Sequence, residues 1–63
     1  LQALGGEDRR SAAYRYYYAD YLRQTGRLDE ALANLNQAHK LAERYEQQEL
    51  AAYLARLLRE WRQ

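Results

Sequence analysis

The chain has 63 residues, the size of one small domain, so there is no room for separate catalytic and binding domains. Its 10 basic and 9 acidic residues give a formal net charge of +1, which excludes a strong electrostatic attraction to nucleic acid or to an anionic membrane. The chain has no cysteine, which excludes disulfides and thiolate metal sites, so its small core must be stabilised by packing or by a partner.

The composition predicts an all-α fold. The chain has no proline and is rich in alanine, leucine, arginine, glutamate and glutamine, which are good helix formers. Its uninterrupted apolar segments are short, whereas a helix needs about 20 apolar residues to cross a bilayer. We therefore expect a soluble, cytoplasmic protein with no membrane partner.

The first predicted elements are a turn and helix one. Residues 1–10 have the pattern of the end of a preceding helix followed by a turn, because Gly5 and Gly6 interrupt the helix. Helix one is predicted at about residues 11–25, with apolar side chains at spacings of three and four that define one face. The residues of this face are Tyr14, Tyr17, Tyr18, Tyr21 and Leu22.

Most of these tyrosines are predicted to belong to the core. We expect Tyr14, Tyr18 and Tyr21 to be buried, while Tyr17 either packs on helix three or contacts a ligand. Tyr16 lies off this face, so its side chain is left for a contact with a partner or is a further space-filling residue.

A turn and a second helix follow. Gly26 supplies the left-handed conformation that commonly ends a helix, and Asp29 is the predicted N-cap of helix two, at about residues 29–45. Because the turn is short, helices one and two should be antiparallel neighbours. The apolar residues at helical spacing in helix two are Ala31, Leu32, Leu35, Ala38, Leu41, Ala42 and Tyr45.

Helix three is predicted at about residues 48–62 and has the strongest apolar stripe of the chain. Polar residues 46–48 separate it from helix two, but no glycine or proline marks the boundary. One continuous helix through both segments is therefore an alternative. The stripe consists of Leu50, Tyr53, Leu54, Leu57, Leu58 and Trp61.

The apolar pattern of helix one recurs in helix three when the chain is shifted by 40 residues. A period of about 20 to 50 residues built from helix pairs is typical of an α-solenoid, in which each unit packs against its neighbours. Any two amphipathic helices align in some register, so the residues of the turn must show whether the shift reflects a true repeat. The shift aligns Leu1 with Leu41, Ala12 with Ala52, Tyr14 with Leu54, Tyr17 with Leu57, Tyr18 with Leu58, and Tyr21 with Trp61.

The turn itself carries a family motif. The segment Gly26–Leu32 has the order Gly-x-Leu-x-Glu-Ala, and Tyr18 and Ala19 precede it by about two helical turns. This pattern resembles a tetratricopeptide repeat, which has Gly-x-aromatic-x-Glu-Ala at the turn and Leu-Gly or Leu-Ala before it. Arg15 stands where the family often has tryptophan, and no proline closes the repeat near Glu43. A period longer than the usual 34 or so residues is similar to the repeats of bacterial peptide-sensing regulators.

The resemblance implies an α-solenoid fragment of about one and a half helix-turn-helix repeats, formed by three antiparallel helices in residues 11–63. It implies that Ala19, Ala31 and Ala38 allow the helices to approach closely. It also implies a protein or peptide recognition module of a larger repeat-containing protein, such as a bacterial regulator. In the family the first helix of each repeat lines the ligand groove. The matching positions are Tyr16, Tyr17, Asp20, Arg23 and Gln24.

A second hypothesis makes the chain an assembly element that forms a homodimer. The strong stripe of helix three is then the contact between two copies, and Trp61 is buried against a neighbouring repeat or a second copy. The residues of this self-association face are Leu50, Leu54, Leu57, Leu58 and Trp61.

Other function classes find little support. Ser11, Thr25 and His39 lie on different predicted elements, so no nucleophile is placed beside a base, and His39 with Glu43 offers only two metal ligands. We expect no enzymatic activity, no cofactor and no metal. Interleaved arginines and tyrosines could bind single-stranded nucleic acid, but acidic residues lie among them, so this partner is the least favoured. The arginines concerned are Arg9, Arg10, Arg15, Arg56, Arg59 and Arg62.

Overall fold

The computed structural model describes residues 9–63, which form three α-helices. Helix α1 spans Ser11–Gln24, α2 spans Leu28–Arg44 and α3 spans Gln48–Trp61. The predicted all-α fold of three helices is confirmed, and the predicted bounds agree with the observed ones within one residue. The prediction for the segment before Arg9 lies outside the described residues. Within residues 9–63 there is no strand, and none of the helices combines the length and the apolar character needed to cross a membrane.

The turn between α1 and α2 is closed by backbone hydrogen bonds around Gly26. The amide of Gly26 donates to the carbonyl of Arg23 (3.2 Å), and the amide of Arg27 donates to the carbonyl of Leu22 (2.9 Å). This geometry needs a left-handed residue, and Gly26 has a φ of 86°. Asp29 is not the N-cap, because Arg27 occupies that position without a side-chain bond and Asp29 lies in the first turn of α2.

The turn between α2 and α3 repeats this geometry without a glycine. The amide of Glu46 donates to the carbonyl of Glu43 (3.1 Å), and the amide of Gln47 donates to the carbonyl of Ala42 (2.8 Å). Glu46 has a φ of 58°, in the left-handed region that non-glycine residues normally avoid. Helices α2 and α3 are therefore separate, and the alternative of one continuous helix is wrong.

The core is a narrow seam of small side chains between the helices. Ala19, Ala31 and Ala38 are fully buried, as expected for residues at a close helix approach. Helix α2 contacts both α1 and α3, whereas the backbones of α1 and α3 have little contact with each other. The buried apolar residues are Ala12, Ala19, Leu22, Ala31, Leu35, Ala38, Leu41, Ala42 and Leu54.

Four of the five tyrosines of α1 lie on the side of the helix that faces away from this seam, and the fifth, Tyr16, is partly buried against the core. Tyr14, Tyr17, Tyr18 and Tyr21 are 61%, 63%, 50% and 60% exposed. The prediction that Tyr14, Tyr18 and Tyr21 are core residues is therefore wrong. Both the alanine side and the tyrosine side of α1 have helical spacing, and the alanine side packs because it permits a closer approach of the backbones. We call Tyr14, Tyr17, Tyr18 and Tyr21 the tyrosine face.

Helices α1 and α3 run in the same direction beside each other. Two side-chain contacts join them, from Tyr16 to Tyr53 and from Arg23 to Trp61. Because both contacts advance together along the two helices, α1 and α3 are parallel, and each is connected to α2 by a short turn. The Cα atoms fill a flat volume of 39 × 23 × 12 Å, so each helix keeps a large exposed surface.

Substitutions at the two left-handed positions test the turns. We expect Glu46→Gly to raise the free energy of unfolding by about 1 kcal/mol, because glycine adopts a positive φ without the steric cost of a side chain. Gly26→Ala should lower it by about 1 kcal/mol, although no atom lies within 4 Å of the added methyl group. Urea denaturation followed by circular dichroism measures both changes. As a control, Glu43→Gly inside α2 should destabilise the chain, and a gain there would contradict this explanation of the turn.

A second pair of variants tests which side of α1 packs. Ala19→Leu adds bulk to the seam and should lower the free energy of unfolding by about 1 to 3 kcal/mol. Tyr18→Leu, at the neighbouring exposed position, should change it by less than about 0.5 kcal/mol in dilute solution. Thermal unfolding of the two variants provides the comparison, and a larger loss for Tyr18→Leu would show that the tyrosine face is packed.

Candidate functional site

The five residues predicted to bind a ligand lie along one side of α1 and form a chain of contacts. The rings of Tyr16 and Tyr17 are 5.5 Å apart. The Asp20 carboxylate lies 3.6 Å from the Arg23 guanidinium and accepts a hydrogen bond of 2.8 Å from the side-chain amide of Gln24. Residues at spacings of three and four neighbour each other on a helix, so α1 presents these polar and aromatic groups together.

Two aromatic residues of α3 complete this surface. The hydroxyl oxygens of Tyr16 and Tyr53 are 3.2 Å apart and share a hydrogen bond, and the two rings meet edge to face with centroids 5.8 Å apart. The guanidinium of Arg23 lies over the ring of Trp61, 4.8 Å from its centroid. The sequence placed Tyr53 and Trp61 in the stripe of helix three, but helical spacing does not reveal which neighbour a face meets.

We call this set of seven residues the α1–α3 surface. It brings together side chains from two helices that are separated by the whole of α2 in the sequence, and it includes every ligand-binding position predicted on helix one. Its members are Tyr16, Tyr17, Asp20, Arg23, Gln24, Tyr53 and Trp61.

The position of Arg23 is fixed from two directions. Asp20 attracts its guanidinium from the same helix, and the guanidinium carbon lies over the Trp61 ring of α3. The side chains of Arg23 and Asp20 are 47% and 36% exposed, so their ion pair adds little to stability in water. The ion pair instead helps to orient the guanidinium of Arg23, whose remaining N–H groups stay available to a ligand.

The hydroxyl of Tyr16 stays protonated at neutral pH. Its hydrogen bond with Tyr53 raises the pKa of Tyr16 to about 12, and partial burial and the charge of Asp20 act in the same direction. Tyr16 is therefore a neutral hydrogen-bonding group, because its pKa is too far from 7 for general acid or base catalysis at neutral pH.

The self-association residues predicted on α3 take part in packing within the chain. Leu54 is fully buried, while Leu50, Leu57, Leu58 and Trp61 are partly buried against the core. Since the stripe faces the other helices of the same chain, a second copy could reach only its exposed margins.

Residues considered for metal or nucleic-acid binding are dispersed. On α2, Nδ1 of His39 is 3.8 Å from the Glu43 carboxylate, and residues 9–63 contain no cluster of three or more potential metal ligands. The guanidinium of Arg15 donates to the Asn34 amide oxygen of α2 at 3.0 Å. On α3, Arg56 lies 3.2 Å from the carboxylate of Glu60. Two of the arginines considered for nucleic acid are thus engaged within the chain.

The contact between Tyr16 and Tyr53 can be tested by titration. The difference between the ultraviolet pH titrations of the wild-type chain and a Tyr16→Phe variant isolates the Tyr16 phenol, which we expect to ionise near pH 12. When the same two chains are compared in a Tyr53→Phe background, the midpoint of the Tyr16 titration should shift towards pH 10, because the hydrogen bond is lost. Tyr14→Phe, on the tyrosine face, is the control and should leave the Tyr16 titration unchanged. A Tyr16 midpoint near 10 in the wild-type chain would show that the bond does not form.

Comparison of the chain with family models, with curated proteins and with solved structures found no match. The resemblance to the tetratricopeptide repeats therefore stays a prediction from the turn motif and the helical repeat.

Proposed function

We propose that this chain is a recognition module that binds a peptide segment of another protein on the α1–α3 surface. The observation that carries the proposal is that two contacts between α1 and α3 lie on one accessible side of the chain. Tyr16 contacts Tyr53 and Tyr17, and Arg23 contacts Trp61. Tyrosine, tryptophan and arginine are the residue types that dominate binding energy at protein interfaces. The resemblance to the tetratricopeptide repeats supports the same surface and favours a role within a larger, cytoplasmic regulatory protein.

The α1–α3 surface is partly ordered before a ligand arrives. The hydrogen bond between Tyr16 and Tyr53 and the position of Arg23 over Trp61 restrict the rotamers of these side chains. Ordering a flexible side chain at an interface costs about 0.5 to 1.5 kcal/mol, so contacts that already exist in the free chain reduce the cost of binding. This arrangement supports a binding role over a purely space-filling one.

The chemistry of the surface favours a ligand without a high net charge. Asp20 and Arg23 balance each other, the aromatic rings supply apolar area, and the tyrosine hydroxyls and the Gln24 amide supply hydrogen bonds. An extended or helical peptide with apolar side chains between polar groups fits this mixture. Since the charges of Asp20 and Arg23 balance and the expected ligand has little net charge, we expect binding to depend only weakly on salt.

Other function classes have fewer contacts to support them. Ser11 and His39 lie on different helices, and the hydroxyl of Thr25 donates to the carbonyl of Leu22, so we assign no catalytic role. Nucleic acid is the least favoured partner, because two of the arginines considered for it, Arg15 and Arg56, are engaged with side chains of the same chain.

Selection from a displayed peptide library against the 63-residue chain tests the proposal. We expect peptides whose affinity falls at least about tenfold on Arg23→Ala, because this change removes a hot-spot side chain together with its contact to Trp61. Isothermal titration calorimetry with a synthetic selected peptide measures the change.

Arg56→Ala is the matched control. Arg56 also pairs with a carboxylate of its own helix, Glu60, but it lies outside the α1–α3 surface. Its replacement should change peptide affinity by less than about twofold, and circular dichroism should show equal helicity in both variants. Equal loss from both variants, or a library that yields no binder, would reject the proposed binding surface.

A further inference from the structure

The tyrosine face of α1 concentrates exposed apolar area on one side of one helix. Four of the six exposed large apolar side chains in residues 9–63 belong to it. The rings of Tyr18 and Tyr21 lie nearly parallel, at an angle of 18° with centroids 6.3 Å apart. Monomeric proteins rarely leave contiguous apolar patches above a few hundred Å² in contact with water.

The internal repeat indicates what kind of contact this face makes. The shift of 40 residues aligns the tyrosine face with Leu54, Leu57, Leu58 and Trp61. In α3 those four residues are the ones that pack against the other helices of the chain. Helix α1 therefore has the pattern of a helix that packs against a neighbour, although no other helix of residues 9–63 covers its tyrosines.

We propose that the tyrosine face is the contact between two copies of this chain. The exposed parts of the four tyrosines amount to about 500 Å² per copy, since a tyrosine offers about 150 to 250 Å². Complete burial of the four side chains in both copies would remove about 1,000 Å² from water in total, which is the lower limit for a specific interface. This contact shares Tyr17 with the α1–α3 surface, but it does not require the proposed peptide ligand.

The distribution of charge favours a second copy as the occupant. The ionised residues between Tyr14 and Tyr21 are Arg15 and Asp20, and both project from other sides of α1, where they contact Asn34 and Arg23. The contact of two tyrosine faces thus buries neither charge, and the net charge of +1 gives little repulsion between copies.

The spacing of the four tyrosines suits a contact between two identical faces. Tyr14, Tyr17, Tyr18 and Tyr21 are placed symmetrically along α1, so a two-fold axis between Tyr17 and Tyr18 makes the contact self-complementary. With the two α1 helices antiparallel, Tyr14 of one copy lies opposite Tyr21 of the other, and the hydroxyl groups remain near the solvent at the rim.

Sedimentation equilibrium of the 63-residue chain between about 1 μM and about 1 mM tests the contact. We expect the apparent mass to rise from 7.5 kDa towards twice that value as the concentration increases. The double variant Tyr18→Lys, Tyr21→Lys places like charges in the contact and should stay at 7.5 kDa throughout. Circular dichroism checks its helicity, and if helicity is lost, Tyr18→Gln with Tyr21→Gln takes its place, with the same expected mass.

Leu28→Lys is the matched control, because Leu28 is an exposed apolar residue of α2 that lies outside both the tyrosine face and the α1–α3 surface. This variant should associate like the wild-type chain. A wild-type chain that remains a monomer at every concentration would overturn the proposal and leave the face for a helix of a different protein. Association that survives the double variant but is lost on Leu57→Glu would also overturn it, since the contact would then lie on α3.

Discussion

Alanine side chains at the seam between α1 and α2 let these helices approach closely, and the positions of the other side chains follow from that approach. Ala12 and Ala19 of α1 and Ala38 and Ala42 of α2 are fully buried in one cluster with Leu54 of α3. Once the alanine side of α1 faces the seam, the tyrosine face must point away from it. Large side chains at the seam would have increased the distance between the helices and weakened their contact.

The α1–α3 surface is a second consequence of the seam. Helices α1 and α3 contact the same central helix, run parallel and are close enough for Tyr16 to reach Tyr53 and for Arg23 to reach Trp61. Neither helix could present this combination by itself, because the contacts that orient the rings and the guanidinium cross from one helix to the other. A peptide on this surface would therefore depend on the packing of all three helices.

Helix α1 contributes to both proposed surfaces, and Tyr17 lies at their border. Its ring contacts Tyr16 of the α1–α3 surface, while its spacing places it on the tyrosine face. A dimer through the tyrosine face would carry two α1–α3 surfaces related by the two-fold axis, and a ligand with two copies of the recognised segment would gain effective concentration. Because Tyr17 belongs to both surfaces, the dimer would leave the other six residues of each α1–α3 surface for the ligand.

The sequence by itself determined the helical class, the bounds of the three helices and the alanines of the seam, because propensity, spacing and the Gly26 turn are local properties. It also placed the five predicted ligand-binding positions on one side of helix one. Only the tertiary structure decided that α3 supplies Tyr53, that Glu46 takes a left-handed conformation in the turn after α2, and that the tyrosine face is exposed. Apolar spacing identifies faces of a helix, but when a helix has two such faces, the one that packs is chosen by how closely the neighbouring backbone can approach.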